Sequence, residues 1–393
     1  MRLLLITNRY PASADDPASP FVPHFVGALQ RRGPQVDILT PSYRPISWEG
    51  EAPAEPSYIH RFPVDSSTPI GSWNFAHPMA WFRLYRFMRD GYAAGERLCR
   101  ANDYDHILAL WALPSGYFAR SLARQFHIPY SVWCLGSDIY AWARRPLIRG
   151  RIATVLRNAT CVFGDGEDLC QRAKEQFRVE CRFLPSFRPL DLGTVPNVPV
   201  PTAVPKYLYL GRLHRAKGIF DLISAFAIVR QSLPQATLHF VGDGPDGSAL
   251  RRLRREQGMD SIVGVAGPVG QSQIVTALAE SDFLVIPTKS DSLPLVFSEA
   301  VSMNRPVIGT DVGDLGTFIR RFRVGLVAPT NDSVGLAAAM LEMARAPVFD
   351  PHGRADLLNL LDPDRAAETF CRTVFPERLT IEHTTKRAAP VAV

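Results

Sequence analysis

The chain has 393 residues, 46% of them hydrophobic and 21% charged, the balance of a soluble globular protein long enough for two domains with separate cores. No apolar run approaches the ~20 residues that span a bilayer, and the short start Met1-Arg-Leu-Leu-Leu-Ile6 runs into a polar turn. Neither a membrane span nor a signal peptide is therefore expected, and cytoplasmic residence is. A net charge of +6 favours anionic partners without separating nucleotide, phospholipid and nucleic acid, and six cysteines without metal-ligand spacing read as free core thiols.

Strands alternate with helices throughout, which predicts parallel sheets covered by helices on both faces. Arg2 to Thr7 reads as the first strand, followed by a loop from Asn8 into a helix that Ser19 caps and Pro20 opens. Phe21, Phe25 and Leu29 share a face of that helix, and Gly33 stops it. Its free amides either meet a phosphate or pack beneath the sheet. Val36 to Leu39 is the next strand. In the helical segment His77 to Tyr92, Trp81, Leu84, Tyr85, Met88 and Tyr92 fall on one arc, and Arg83, Arg86 and Arg89 on another with Phe82. Such a helix either packs on the core with a solvated basic face or lies on an anionic membrane, in which case the acceptor would be lipid-linked. Asp103-Tyr-Asp105 has the spacing of a metal motif, but in front of the strand Ile107 to Leu110 it reads as a solvated loop. Tyr130 to Cys134 is a further strand. The prolines of Leu184 to Pro205 exclude regular structure, so residues 185–205 are expected to link a domain of residues 1–184 to one of residues 206–379. The last helix is expected to pack back on the first domain, and residues 380–393 to be disordered.

The second half carries the chemistry. The strand Tyr207 to Leu210 ends at Gly211 and delivers Arg212 and Lys217 into a loop, where two cations beside a glycine turn suit a pyrophosphate. Strands at Thr237 to Val241, Phe283 to Ile286 and Val307 to Gly309 follow. After the third of these four, Asp291 lies on a loop and Glu299 on a helix reaching to Asn304, with Ser292 or Asp291 as cap and Pro294 in the first turn. The two acids would lie roughly 10 to 12 Å apart if the span were helical, about the reach from a ribose to the sugar across a diphosphate. Between them the free amides of the helix start favour an anion.

Taken in order, Gly211-Arg212 with Lys217-Gly218, Gly242-Asp-Gly-Pro245, Gly267, Ser281-Asp-Phe-Leu-Val-Ile-Pro287, Asp291 through Glu299-Ala300, Pro306-Val-Ile-Gly-Thr310 and Gly325-Leu-Val resemble the donor domain of the retaining family 4 glycosyltransferases. The resemblance spans residues 204 to 345. It implies an α/β GT-B fold, two Rossmann-like domains facing each other across a cleft. It also implies a retaining, metal-independent glycosyltransferase that moves a sugar from a UDP- or GDP-sugar to a hydroxyl acceptor in polysaccharide, glycolipid or related glycoconjugate synthesis. No cofactor beyond the sugar nucleotide and no nucleic-acid partner are implied; the acceptor is a sugar, a lipid-linked molecule or a small molecule.

By the same resemblance Arg212 and Lys217 stabilise the leaving diphosphate, Asp291 holds sugar hydroxyls, and Glu299 takes the ribose diol. Gly211, Ser292, Leu293 and Leu295 complete the donor contacts, and the base lies near Val269. The first acid of this pattern is usually glutamate, one methylene longer than Asp291. On the acceptor side stand Phe21, Trp111, Leu135 and Asp138. Trp111 either stacks on a sugar or is buried. Leu135 occupies the position of a family histidine that contacts the transferred sugar in many members, and leucine cannot donate that bond. Asp138 either orients its loop or reaches the acceptor hydroxyl. The rivals are a catalytically silent sugar-nucleotide-binding subunit and a nucleotide-sugar isomerase on a similar fold.

Overall fold

The structure is a computed structural model that describes residues 1–43 except 14, 15 and 17, residues 56–70 except 67, and residues 73–190 and 195–376. The expected tail of residues 380–393 and residues 191–194 of the expected linker lie outside the described residues.

The first sheet holds seven strands: β1 Arg2–Ile6, β2 Gln35–Tyr43, β3 Ile59–Val64, β4 His106–Leu110, β5 Tyr130–Cys134, β6 Cys161–Gly164 and β7 Cys181–Phe183. Their order is β3-β2-β1-β4-β5-β6-β7, and every pairing is parallel. Helices α1 Phe21–Arg31, α2 Pro78–Ala101, α3 Ser115–Phe126, α4 Ser137–Tyr140, α5 Pro146–Arg157 and α6 Glu167–Phe177 connect them. The second sheet is also wholly parallel, from β8 Lys206–Leu210, β9 Thr237–Val241, β10 Val263–Ala266, β11 Phe283–Ile286, β12 Val307–Thr310 and β13 Gly325–Ala328, ordered β10-β9-β8-β11-β12-β13. Its helices are α7 Ile219–Ser232, α8 Gly247–Glu256, α9 Gln271–Glu280, α10 Leu295–Ser302, α11 Leu315–Phe322, α12 Ser333–Arg345 and α13 Pro351–Leu361, and α14 Pro363–Val374 closes the fold.

In both sheets the order reverses beside the first strand, at β1/β4 and at β8/β11, which opens a crevice at the carboxyl ends of those strands. These are two Rossmann-like α/β domains, and the central strands are buried end to end, as Leu3, Leu4, Leu5 and Ile107 through Leu110 show. The strands named from sequence all form. Those passed over are β3, which contains Pro63, and the short β6, β7, β10 and β13, whose few residues carry no period of their own.

Helix α14 sets Phe370 edge-on to Phe25 of α1 at 5.9 Å, while Arg31 and Arg32 reach the Asp364 carboxylate and carbonyl. The chain thus crosses back to the first domain after completing the second. Two local expectations are corrected. Ser19 adopts φ +50° and makes no side-chain cap; α1 starts at Phe21 with Pro20 before it. In α2 the buried seam is Ala80, Phe87, Gly91, Ala94, Gly95 and Cys99, not the arc of Trp81 and Tyr85. The glycines decide this: a Cβ at Gly91 would lie 2.8 Å from Phe118 and one at Gly95 2.7 Å from Leu122, so this face alone lets the helix approach α3 closely.

Candidate donor site at the domain cleft

Between the carboxyl ends of the two sheets lies a cavity of about 300 Å3, at the lower end of the range for small-molecule sites. The second domain supplies its cations. β8 ends at Leu210, and Gly211 and Arg212 lie beyond it; the Tyr209 hydroxyl donates to the Arg212 carbonyl at 2.8 Å and holds the turn. A single 3-10 turn, Arg215–Lys217, then closes on Gly218 at φ +72°. A Cβ there would lie 1.8 Å from the Pro287 carbonyl oxygen, so only glycine lets this loop press onto the end of β11. The Lys289 amide completes the contact by donating to Ala216 O at 2.9 Å.

That backbone contact carries Lys217 to Asp291, and the Lys217 ammonium donates to Asp291 Oδ2 at 2.5 Å. Arg212 is exposed and makes no ion pair among the described residues. Pro294 stands at the N-cap of α10 with no side-chain cap, which corrects the expectation of Ser292 or Asp291 as cap; the helix ends at Ser302 rather than Asn304. The helix start is therefore open: Pro294, Leu295 and Val296 border the cavity, and the Leu295 and Val296 amides lie in the unpaired first turn.

From the first domain come Phe21, Trp111 and Leu135, an apolar wall, together with Asp165 at the end of β6 and Ser186 beyond β7. Trp111 is half-buried at φ +67°, at the turn between β4 and α3. Asp138 is fully buried and turned to the backbone: its carboxylate accepts the amides of Ala112 at 3.0 Å and Ile139 at 3.2 Å, tying the Trp111 turn to α4.

Of the residues singled out from sequence, Phe21, Trp111, Leu135, Gly211, Arg212, Lys217, Asp291, Leu293 and Leu295 meet at this cavity. Ser292 lies behind it and is buried; Val269, Asp138 and Glu299 are outside its lining. Glu299 is enclosed on α10 and ion-paired with Arg188, from the segment after β7, whose guanidinium donates to Oε1. Its Oε2 has no hydrogen-bond partner. Burial raises its pKa against the opposing pull of Arg188.

The residue sequence reasoning missed is Asp165. It stands in Gly164-Asp-Gly166, after a strand too short to register as one. Burial first, and the nearby carboxylates of Asp138, Asp291 and Asp314, push its pKa up to about 8 against the Ser292 hydroxyl. Asp314 of the second domain, raised mainly by burial to about 6, accepts the Asp168 amide at 2.9 Å across the domain boundary. Among the described residues no group of three or more His, Cys, Asp or Glu side chains is arranged to hold a metal ion. All six cysteines are free thiols.

Two facing Rossmann-like domains with the polar site at their shared cleft define the GT-B class of glycosyltransferases. The family models agree half by half: residues 204–346 match "Glycosyl transferases group 1" and residues 18–185 match "Glycosyl transferase 4-like domain". The chain belongs to this family of glycosyltransferases. It is 26% identical over 378 residues, 91% of this chain and 92% of the relative, to TuaC of Bacillus subtilis (strain 168), a glycosyltransferase assigned to teichuronic acid biosynthesis. It is also 31% identical over 179 residues, 44% of this chain and 41% of the relative, to a D-inositol 3-phosphate glycosyltransferase of Arthrobacter sp. (strain FB24). In fold it is similar to sucrose-phosphate synthase of Thermosynechococcus elongatus, with TM-score 0.74 and 21% identity over 99% of this chain and all of that one. Anabaena HepE in complex with UDP and glucose gives TM-score 0.68 at 14% identity over 95% of this chain and 99% of that one.

Proposed function

We propose that the chain is a retaining glycosyltransferase that moves a sugar from a UDP- or GDP-sugar to a hydroxyl acceptor in cell-surface polysaccharide or glycoconjugate synthesis, without a metal ion. The observation that carries this is the convergence of Arg212, the Lys217–Asp291 pair and the open start of α10 on one interdomain cavity. TuaC, matched over nine-tenths of both chains, supports the polysaccharide context, and the fold shared with HepE supports UDP as the carrier.

In this reading the diphosphate lies at the start of α10, where the helix amides and Arg212 favour an anion. Lys217 turns from Asp291 to the phosphate, and the freed Asp291 accepts hydroxyls of the sugar. The bond from anomeric carbon to phosphate breaks while the acceptor oxygen bonds to the same face, and the acceptor proton passes to the departing phosphate. Arg212 and Lys217 stabilise the charge that builds there. Glu299 would serve the ribose once the Arg188 contact that encloses it opens.

The chain works in the cytoplasm, at the inner face of a membrane. Supporting this is the first part of α2, where Trp81 is 60%, Phe82 55% and Tyr85 63% exposed beside Arg83 and Arg89. Aromatic and basic side chains in this combination suit an anionic lipid surface, and the acceptor would then be lipid-linked. No helix among the described residues is long and apolar enough to cross a membrane.

The test is a thermal-shift screen of the purified chain against UDP, GDP, ADP and their sugars, followed by donor turnover of the Arg212→Ala variant. Removing one preorganised group facing the transition-state charge should slow nucleotide release about 10²–10³-fold. Absence of a shift with every nucleotide, or undiminished turnover by the variant, sinks the reading.

A further inference from the structure

We propose that Asp165 is a specificity-determining contact of the donor site, its carboxyl group taking a hydroxyl of the bound sugar from the wall opposite Arg212 and Asp291. The inference rests on the reading of the cleft as a sugar-nucleotide site. The first-domain wall of the cavity consists of Phe21, Trp111 and Leu135, side chains that cannot take a hydroxyl hydrogen bond except through the indole N–H, and of Asp165 and Ser186, of which Asp165 alone carries a carboxyl. A sugar presents hydroxyls on every side, so a cavity polar on one wall only leaves some of them unpaired.

Asp165 is 6% exposed and lies near the Ser186 and Ser292 hydroxyls, yet its Oδ1 makes no hydrogen bond of full geometry, and Oδ2 makes only that from Ser186 at 3.5 Å, the outer limit of such a bond. A buried carboxyl oxygen without a partner is costly and rare, and at a cavity edge the partner it lacks is one a ligand can bring. The side chain cannot turn away to water. Its amide donates to Cys134 O at 3.1 Å, and the next residue is clamped: a Cβ on Gly166 would lie 2.2 Å from Asp314 Oδ2 and 2.5 Å from Ser292 Oγ.

A hydroxyl suits this carboxyl better than the other ligands of a cleft. A phosphate would meet it with like charge whenever it ionises. A divalent cation needs several oxygen ligands, and the described residues offer no group of three. A sugar hydroxyl both donates and accepts. It therefore pairs with the protonated carboxyl that burial favours at neutral pH and with the carboxylate above pH 8. Leu135 follows the neighbouring strand β5 as Asp165 follows β6, so Asp165 supplies a polar contact one strand across from where leucine leaves none.

Isothermal titration of the full chain with UDP, UDP-glucose, UDP-galactose, UDP-N-acetylglucosamine, GDP and GDP-mannose tests this in wild type, Asp165→Ala and Asp165→Asn. Asp165→Ala should leave the free nucleotide within about twofold and weaken the preferred sugar nucleotide about tenfold. Asp165→Asn, which keeps the shape and a hydrogen-bonding group, should retain part of that affinity and alter the order of preference among the sugars. The inference is overturned if both variants keep the wild-type ratio of sugar nucleotide to nucleotide, or if the wild type binds nucleotide and gains nothing from any sugar. Binding of no nucleotide by the folded wild type is a different failure, that of the donor-site reading itself.

Discussion

Replacing Arg188 by methionine removes the only charge that compensates Glu299 among the described residues. The two side chains are 6% and 2% exposed, so neither charge has water to fall back on. Breaking a buried pair from one side costs about 3–5 kcal/mol, because the surviving charge stays desolvated. Arg188→Met should therefore lower stability by about that amount at pH 8, in urea titration followed by tryptophan fluorescence. Burial already holds the Glu299 pKa up, and without Arg188 it rises further. The native variant then binds more protons than the unfolded chain above pH ~4.5, so its deficit should shrink as pH falls towards 5. The double variant Arg188→Met/Glu299→Leu, with no charge left to strand, should lie closer to wild type than the single variant. A loss under about 1 kcal/mol at pH 8, or a double variant less stable than Arg188→Met, would refute the reasoning.

Gly218→Ala places a Cβ at φ +72° against the Pro287 carbonyl, so the left-handed backbone alone should cost about 1–2 kcal/mol, visible as a lower melting temperature. The same variant should lose nucleotide binding more than stability, since the loop that must shift carries Lys217. Asp165, raised to about 8 in the fold, binds a proton that the unfolded chain has released above pH ~4. Its contribution thus falls as pH rises from ~4 to ~8, with a slope of at most about 1.4 kcal/mol per pH unit. Asp165→Asn should flatten the wild-type decline in unfolding free energy between pH 6 and 8, and an unchanged profile would contradict the assigned burial. Substituting Trp81, Phe82 and Tyr85 together by serine should abolish co-sedimentation with phosphatidylglycerol vesicles while leaving the thermal shift with nucleotide intact. Equal binding of wild type to phosphatidylcholine vesicles would count against an anionic surface.

Sequence by itself determined the fold class and most of the polar wall of the site. Those signals are local. Runs such as Leu3-Leu-Leu-Ile6 and Phe283-Leu-Val-Ile286 are strands because they are buried on both faces, and Gly211-Arg212 and Lys217-Gly218 announce a turn because only glycine adopts its backbone. Only the tertiary structure decided what faces what. Asp165 follows a four-residue strand with no period to read, and it becomes a cavity group through the pairing of β6 with β5 and the pressure of the second domain on Gly166. Glu299 reads as a helix acid at a fixed spacing from Asp291, whereas its environment is set by Arg188, 111 residues away in the chain. On α2 the helical period places Trp81 and Tyr85 on an apolar arc, but two glycines that no hydrophobicity scale rewards choose the buried face and leave the aromatics outside. Period and turn chemistry act within a few residues, while burial, pairing and pKa depend on contacts between segments far apart, and these arise only when the two sheets and the linker are packed together.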